Sequence, residues 1–340
     1  MPITHTALSQ SPAVAIVVCT YNGSQYIESQ IESLLAQSHE VSIHVSDDVS
    51  SDDTVAKVSN RMRSGIDTLH VNPDNTGFVR NFEQGLKRAV ESQARYIALS
   101  DQDDIWDEQR IAAGMQAMSD LESIHGCDIP LLVHSDLKLI DKNGEQSHPS
   151  FLAYRKYRIT SRRCLNTILG ENGVMGNTVL MNRALAELCL PFPESLHVHD
   201  YWIALMAELF GHRVMLNKPL VNYRLHENNA SNTAESMSRG LFASLGNINW
   251  RKLLTRDFKL PFKEDSRMLV LKEVLANADD FPALSEEQMH SVSLFVDYLD
   301  FSQPRLKSLA YLMTSGVARS GLRFRIRLIF AVLLTTRYAR

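Results

Sequence analysis

The chain has 340 residues, of which 44% are hydrophobic and 22% are charged. This composition is typical of a globular protein and excludes a disordered or fibrous one. The net charge of −4 conceals an asymmetry, because residues 301–340 carry eight basic and no acidic side chains. Residues 1–300 then hold 27 basic against 39 acidic side chains. An acidic body argues against a nucleic-acid partner, whereas a basic end favours an anionic surface.

The cysteine count and the length of the apolar runs indicate the cellular location of the protein. Its four cysteines lack C-x-x-C spacing, which argues against a disulfide framework, a zinc site or a redox dithiol. The first residues lack the pattern of a secretory signal. The longest purely apolar stretch, residues 328–334, falls far short of the roughly 20 residues that span a bilayer. We therefore expect a cytoplasmic location.

Five short apolar runs predict β-strands. The first, AVAIVVC at 13–19, is nearly continuous, as in a strand that is buried on both faces of a parallel sheet. The other four runs lie at 41–46, 68–72, 95–100 and 131–136. Helical patterns separate the first four runs, at 27–35, 54–63 and 78–92. This alternation predicts an α/β fold with a mainly parallel sheet that is flanked by helices.

Helical patterns dominate after about residue 235. Ser285 and Gln288 form a capping-box pattern that predicts a helix beginning at residue 286. The last 40 residues read as basic amphipathic helices that are broken near Gly316 or Gly321. We divide the chain into a flexible N-terminus at 1–12, an α/β domain at 13–235 and a helical C-terminal region at 236–340.

Polar clusters follow three of the predicted strands, where ligands bind in open α/β sheets. Thr20-Tyr21-Asn22-Gly23 follows the first strand, Asp47-Asp48 the second and Asp101-Gln102-Asp103-Asp104 the fourth. Three carboxylates within four residues repel one another unless a cation or protons neutralise them, and Mg²⁺ with substrate phosphate oxygens does so well. The alternative for the third cluster is a solvated acidic turn that caps the next helix. Asp47-Asp48 either forms Asx-turns or accepts hydrogen bonds from a nucleobase or a ribose.

The segments AIVVCTYNG, VSDDVSSDDT, NTGFVRN, ALSDQDDIW and HDYW occur in order within residues 13–228. Together they resemble the family 2 glycosyltransferases. SDQDDIW with the downstream YRLHENN resembles the bacterial rhamnosyltransferase-type members that build surface polysaccharides such as O-antigen. The resemblance implies a GT-A fold with a C-terminal helical extension. It also implies inverting transfer of a sugar from a nucleoside-diphosphate donor, with Mg²⁺ or Mn²⁺ as cofactor.

The same resemblance assigns roles to individual residues. Asp200 matches the catalytic base, with capping of the helix at Tyr201 as its alternative role. Asp103, in the D-x-D motif, and His226 match metal-site positions. The residues that match the donor side are Thr20, Tyr21, Asn22, Asp48, Arg80, Asp101, Gln102 and Asp103. The acceptor-side candidates are Trp106, Gly176, His199 and Trp202, although both tryptophans also suit the protein core.

The sequence departs from the family pattern at two points. Val49 stands where the family often has glycine, so we expect the turn after Asp47-Asp48 to avoid positive φ. The Q-x-x-R-W signature of processive members is absent from the sequence, which favours the addition of one sugar or a few.

Two other functional classes compete with glycosyl transfer. A sugar-nucleotide pyrophosphorylase-like nucleotidyltransferase would carry a Gly-rich, Arg-containing loop after the first strand, and CTYNGS is not such a loop. A non-catalytic scaffold subunit would not need Asp101, Asp103 and Asp200 together.

The partners follow from the resemblance and from the charge distribution. We expect a donor that is dTDP-rhamnose or a UDP-sugar, and an acceptor that is a glycan or lipid-linked. The basic residues 301–340 have three candidate contacts, namely anionic lipid on the inner face of the cytoplasmic membrane, the acidic body, or a second copy in an oligomer.

Overall fold

The computed structural model describes residues 13–161, 164–226 and 266–299, together with residues 307, 310, 311, 314 and 315. These residues contain one sheet. Its strands are β1 (Val14–Thr20), β2 (Ser42–Asp47), β3 (Thr68–Val71), β4 (Tyr96–Ser100), β5 (Ile105–Trp106), β6 (Leu131–Ile140), β7 (Gln146–His148), β8 (Leu180–Asn182) and β9 (His212–Arg224).

Ten α-helices accompany these strands within the described residues. They are α1 (Ile27–Leu35), α2 (Thr54–Arg61), α3 (Phe78–Glu91), α4 (Arg110–His125), α5 (Phe151–Arg155), α6 (Leu165–Glu171), α7 (Arg183–Cys189), α8 (His199–Phe210), α9 (Ser266–Ala276) and α10 (Glu286–Leu299). Among the described residues, no helix is both long enough and apolar enough to cross a membrane.

The sheet is mainly parallel, in the order β3-β2-β1-β4-β8-β6-β9-β5, with β7 paired to β6. Six strands, β3, β2, β1, β4, β6 and β9, run in one direction. The shorter strands β5, β7 and β8 run antiparallel to their neighbours. The carboxyl ends of β1, β2 and β4 therefore meet at one edge of the sheet.

Helices cover both faces of the sheet, and β1 shows why. All seven residues of β1 are buried. Since side chains alternate across a strand, Ile16 and Val18 join one hydrophobic cluster, with α1, whereas Ala15 and Val17 join the other, with α3 and α8. This two-sided burial explains the continuous apolar sequence of β1.

The helices α9 and α10 belong to the same core as the α/β body. Leu271 in α9 and Phe295 in α10 are buried in the cluster that contains Val17. The guanidinium of Arg267 donates to the carbonyl of Gly170, next to the end of α6, at 2.8 Å. The two helices therefore support the layer that carries α6 and α8.

The five strands predicted from the apolar runs are confirmed, with shifts of one residue at most ends and an extension of β6 to Ile140. The capping box is also confirmed, because Ser285 N–H donates to Gln288 Oε1 at 2.8 Å and Gln288 N–H donates to Ser285 Oγ at 3.2 Å. Residues 1–12, the boundary near 235 and most of 301–340, including Gly316 and Gly321, lie outside the described residues.

A glycine in α3 sets how closely this helix packs on the sheet. A Cβ atom at Gly85 would lie 2.5 Å from Cγ1 of Val17, a stiff β-branched side chain in the central strand. We expect Gly85→Ala to lower the melting temperature, because overpacking costs about 1–3 kcal/mol and outweighs the gain of about 1 kcal/mol in helix propensity.

Gly114→Ala in α4 is the matched control for thermal denaturation. There the new Cβ would meet the terminal Cδ2 of Leu180 at 2.8 Å, and this flexible end can move. We expect Gly114→Ala to cost less than Gly85→Ala. Equal melting temperatures for the two variants would contradict the packing argument.

Candidate active site

Parallel register brings the polar ends of β1, β2 and β4 together. Thr20 pairs with Asp47 across β1 and β2, and Val18 pairs with Ser100 across β1 and β4. The hydroxyl of Thr20 donates to Oδ2 of Asp47 at 2.7 Å, and both side chains are buried. Thr20 is thus placed as a link between the first two polar clusters.

Gln102 ties the first polar cluster to the third. Tyr21 N–H donates to Gln102 Oε1 at 2.8 Å, and Gln102 Nε2 donates to the carbonyl of Tyr21 at 3.0 Å. Gly23 is required beneath this pair, because a Cβ there would lie only 2.1 Å from Gln102 Oε1. The clamp fixes the backbone of Tyr21 and leaves its side chain 50% exposed.

Asp48 supports the loop before α3. Its carboxylate accepts four hydrogen bonds, from Asn72 Nδ2, from the N–H and hydroxyl of Thr76 and from the N–H of Gly77, at 2.8–3.0 Å. A carboxylate has about four acceptor positions, so these bonds fill Asp48. The predicted contact between Asp48 and a nucleobase is therefore not supported.

Asp47 and Asn22 hold the neighbouring turn. Asp47 accepts the N–H and the hydroxyl of Ser50 at 2.8 and 2.6 Å, which is the Asx-turn that the sequence left open. Oδ1 of Asn22 accepts the N–H of Ser51 at 2.8 Å. Asn22 is therefore placed as a support of the turn.

The expectation for Val49 is wrong. Val49 has φ of 66°, the left-handed conformation that the glycine of the family would adopt freely. The hydrogen bonds on either side, from the N–H of Ser50 to Asp47 and from the N–H of Thr76 to Asp48, hold the turn in this shape. The turn therefore has positive φ although a β-branched residue occupies it at a steric cost.

The carboxylates of Asp101, Asp103 and Asp200 lie near one another, beyond the clamp that Gln102 forms with Tyr21. Burial raises the pKa of Asp101, and the charges of Asp103 and Asp200 raise it further. Asp103 is buried, and its Oδ2 lies 2.8 Å from Nε2 of His226. The ring of His226 packs against Tyr26 with a centroid separation of 5.0 Å. Asp101, Asp103, Asp200 and His226, to which the sequence analysis gave catalytic, metal and donor roles, thus lie in one region of the structure.

Asp104 plays a different part from its neighbours in the acidic cluster. It is fully buried and accepts hydrogen bonds from Asn177 Nδ2 and from the N–H of Arg224. Nε of Arg224 also donates to the carbonyl of Asp103 at 2.9 Å. Asn177 and Arg224 thus hold the acidic loop from below. The sequence analysis missed this support, although Asn177 ends the conspicuous segment GENGVMGN.

Asp200 lies in the first turn of α8. Burial raises the pKa of Asp200 to about 7, against hydrogen bonds from the N–H groups of Tyr201 and Gly176 and from Asn172, which lower it. Asn172 Nδ2 donates to Asp200 Oδ1 at 2.9 Å. A carboxyl group with this pKa can exchange a proton near neutral pH, which is the property of a general base.

The acidic cluster suits a divalent cation that is bound mainly by substrate. Among the described residues, no three His, Cys, Asp or Glu side chains form a preformed metal cage. Mg²⁺ and related ions use one or two carboxylates together with phosphate oxygens and water. Burial and the charges of Asp103 and Asp200 raise the pKa of Asp101, and a divalent cation beside Asp103 would offset this repulsion, so the oxygen ligands present fit such an ion.

Arg80 is placed away from the donor role that the sequence suggested. Its guanidinium pairs with Glu83 at 2.6 Å and donates to the carbonyls of Phe192 and Pro193 at 2.9 and 2.8 Å. These contacts join α3 to the loop before α8, so Arg80 is a structural residue here.

Three acceptor-side expectations also need correction. Trp106 is 3% exposed and Trp202 is 1% exposed, so neither ring has a face for a sugar. Trp202 Nε1 instead donates to the carbonyl of Cys189 at 2.8 Å. His199 is buried in a stack on Phe82 with a centroid separation of 4.0 Å, and burial lowers its pKa to about 3. Its ring is neutral and lies below the site surface.

Gly176 is placed beside Asp200 for a steric reason. A Cβ at Gly176 would lie 2.5 Å from Nε2 of His199. The absence of a side chain lets the backbone of Gly176 approach, and its N–H donates to Asp200. Gly176 therefore acts through its backbone.

Comparison with known proteins agrees with this geometry. Residues 15–168 match the family model described as Glycosyl transferase family 2. The dTDP-rhamnosyl transferase RfbG of Shigella flexneri is 26% identical over 221 residues, which are 62% of this chain and 72% of RfbG. The chain is a glycosyltransferase, and its residues 15–168 form a family 2 glycosyltransferase domain.

Solved structures confirm the GT-A fold of this glycosyltransferase. S. aureus TarS 1–349, in complex with UDP-GlcNAc, superposes with a TM-score of 0.54 at 17% identity, over 96% of this chain and 93% of TarS 1–349. The mannosyltransferase PcManGT from Pyrobaculum calidifontis, in complex with GDP-Man and Mn²⁺, gives 0.51 at 15% identity, over 96% of this chain and 81% of PcManGT. At these identities the likeness shows the fold alone.

The conformation of Val49 allows a direct test of the turn beside the site. We expect Val49→Gly to leave the stability of the glycosyltransferase unchanged or to raise it by up to about 1 kcal/mol. The left-handed conformation costs a β-branched residue about 1–2 kcal/mol, whereas glycine costs about 0.5–1 kcal/mol in chain entropy. Urea denaturation measures the difference.

Val71→Gly is the control, because Val71 is similarly exposed but lies at the end of an extended edge strand. Glycine weakens a strand, so we expect Val71→Gly to lower the free energy of unfolding. A loss for Val49→Gly as large as that for Val71→Gly would show that Val49 is not strained.

Proposed function

We propose that this glycosyltransferase transfers a sugar with inversion from a nucleoside-diphosphate sugar to a glycan or lipid-linked acceptor. The proposal places the reaction in bacterial surface polysaccharide synthesis, with one sugar or a few added per encounter. The observation that carries it is the position of Asp200. This carboxylate, with a pKa of about 7, lies close enough to Asp101 to raise the pKa of Asp101 by its charge.

On the acceptor side, Asp200 is the general base. It takes the proton from the attacking hydroxyl as the oxygen bonds to the anomeric carbon and the bond to the diphosphate oxygen breaks. An inverting displacement requires the base and the leaving group on opposite sides of the sugar ring. Asp200 on α8 and the Asp101–Asp103 loop after β4 supply these two sides from separate elements.

On the donor side, the exposed ring of Tyr21 offers a stacking face for the nucleobase, and the Gln102 clamp holds its backbone in place. Asp101 and Asp103 face the ribose and the diphosphate, and Asp103 with His226 holds the divalent cation. Such a cation, Mg²⁺ or Mn²⁺, stabilises the charge that the leaving diphosphate gains. The Mn²⁺ complex of PcManGT supports this assignment by analogy of fold.

The donor that we propose first is dTDP-rhamnose, with a UDP-sugar as the alternative. The relative RfbG is named a dTDP-rhamnosyl transferase, and the SDQDDIW and YRLHENN segments point the same way. The complex of TarS with UDP-GlcNAc supports the alternative. We further propose that residues 301–340, with their eight basic side chains, place the enzyme on the inner face of the cytoplasmic membrane.

Replacing the base tests the reaction. We expect Asp200→Asn to retain donor binding and to reduce sugar transfer by at least about 10²-fold, because general-base catalysis contributes about 10²–10⁴-fold. The wild-type kcat/KM should fall about tenfold per pH unit below pH 7, since only the ionised carboxylate accepts the proton. This acid limb should be absent from the residual rate of Asp200→Asn.

The control is Asp120→Asn, which removes an exposed carboxylate on α4. Asp120→Asn should keep both the wild-type rate and the acid limb. Wild-type turnover in Asp200→Asn would remove Asp200 as the base.

Replacing the metal ligand tests the donor side. We expect UDP or dTDP with Mn²⁺ to raise the melting temperature of the wild type more than either component alone, because ligands stabilise the folded state that binds them. Asp103→Asn should lose this combined shift, since a neutral amide is a weaker ligand for a divalent cation. Equal shifts in Asp103→Asn, Asp120→Asn and the wild type would contradict the metal assignment.

A further inference from the structure

The helix α6 ends in an unusual turn beside Asp200. Asn172 and Gly173 both have positive φ, 61° and 89°. Positive φ is ordinary for glycine, but the ψ of Asn172 is −105°, which lies outside the left-handed helical region and is strained for any residue with a side chain. The turn reverses the chain so that Val174, which is fully buried, anchors the segment in the hydrophobic core.

The turn fixes the orientation of the Asn172 side chain. Oδ1 accepts the N–H of Val174 at 3.2 Å, and Nδ2 donates to the carbonyl of Val174 at 3.1 Å. The second hydrogen of Nδ2 goes to Oδ1 of Asp200 at 2.9 Å. A flipped amide would set its oxygen against a carbonyl and a carboxylate and its NH₂ against an N–H. Only one orientation of the amide is therefore compatible with its surroundings.

Asp200 receives three hydrogen bonds, from two segments of the chain. The side chain of Asn172 and the N–H of Gly176 come from the segment between α6 and β8, and the N–H of Tyr201 comes from α8 itself. A carboxylate offers about four acceptor positions, so about one remains for a substrate hydroxyl. The charged group that faces Asp200 from another part of the chain is Asp101, in the loop after β4, and the neighbouring His199 is neutral.

We propose that Asn172 is a positioning residue that fixes the rotation of the Asp200 carboxylate, so that its remaining acceptor position points to the acceptor hydroxyl. This inference rests on the proposed function, in which Asp200 is the base. A base that can rotate spends most of its time out of line with the proton, and misplacements of about 1 Å cost on the order of 10²-fold in rate.

Two substitutions separate the amide of Asn172 from its backbone role. Asn172→Gly keeps the positive φ at no steric cost and deletes the amide. Asn172→Asp keeps the bond to the N–H of Val174 and replaces the donor to Asp200 by a negative oxygen. For both variants we expect a fall in kcat of about 10–100-fold with donor KM little changed. The acid limb should move to higher pH, further in Asn172→Asp, because the ionised base loses a donor or gains a repulsive neighbour.

Gln93→Gly is the matched control. Gln93 is also a residue of positive φ, 68°, but it is exposed and follows α3 at the opposite end from the site. Replacing it with glycine makes the same backbone change without touching Asp200, so its kcat and pH profile should equal those of the wild type.

Parallel assays of Asp200→Asn make the outcomes distinguishable. If Asp200→Asn loses transfer while both Asn172 variants keep the wild-type kcat and acid limb, the positioning role is overturned and the proposed base stands. If Asp200→Asn keeps wild-type transfer, the base assignment fails, and the role of Asn172 fails with it. Should Asn172→Gly not fold, Asn172→Asp decides alone, since a wild-type pH profile in that variant also overturns the inference.

Discussion

The site depends on one physical constraint, which is negative charge gathered where little water can reach it. Asp101, Asp103 and Asp200 meet at the carboxyl edge of the sheet, and the pKa values of Asp101 and Asp200 are raised as a result. Separating these groups would relieve their repulsion, so the surrounding structure must hold them together. In the proposed function, a cation that carries a diphosphate offsets this negative charge.

The polar residues around the site hold the charged ones in place. The carboxylate of Asp104 accepts hydrogen bonds from Asn177 and from the backbone of Arg224, beneath the loop that carries Asp101 and Asp103. The carboxylate of Asp48 accepts hydrogen bonds from the N–H groups of Thr76 and Gly77 in the loop before α3. Filled hydrogen bonds of this kind fix loops that would otherwise have to be ordered by the substrate. The acidic side chains thus divide into those that support the loops and those to which the proposed function gives a ligand.

The sequence predicted the scaffold well, because the scaffold follows from periodicity. The continuous apolar sequence of β1 is typical of a buried parallel strand, whereas β3, which is mostly exposed, was found as a short β-type segment between helical patterns. Short antiparallel strands such as β8, three residues long, carry no comparable signal. The same limit applies to roles within a motif. Asp101 and Asp104 cannot be distinguished within the sequence DQDD. Only the fold shows that Asp104 is buried and accepts a hydrogen bond from the N–H of Arg224, 120 residues away. Trp106 and Trp202 follow the motifs closely, yet local sequence does not tell which face of a strand or helix is buried.

Backbone strain in the described residues concentrates around the reacting groups. Five residues other than glycine have positive φ, and three of them, Asn22, Val49 and Asn172, flank the polar clusters. Asn22 accepts the N–H of Ser51, and Asn172 accepts the N–H of Val174. Val49 lies between Asp47 and Asp48 on one side and Ser50 on the other, and the two carboxylates accept hydrogen bonds that hold the turn. A strained conformation persists only where its surroundings over-determine it, and here those surroundings are the bonds that orient the carboxylates. The glycine that the family pattern suggests after the Asp pair would relieve the strain at Val49, where the turn forms with a β-branched residue between hydrogen-bonded neighbours. The geometry of this edge of the sheet is therefore imposed by its polar network and does not depend on the local conformational preference of each residue.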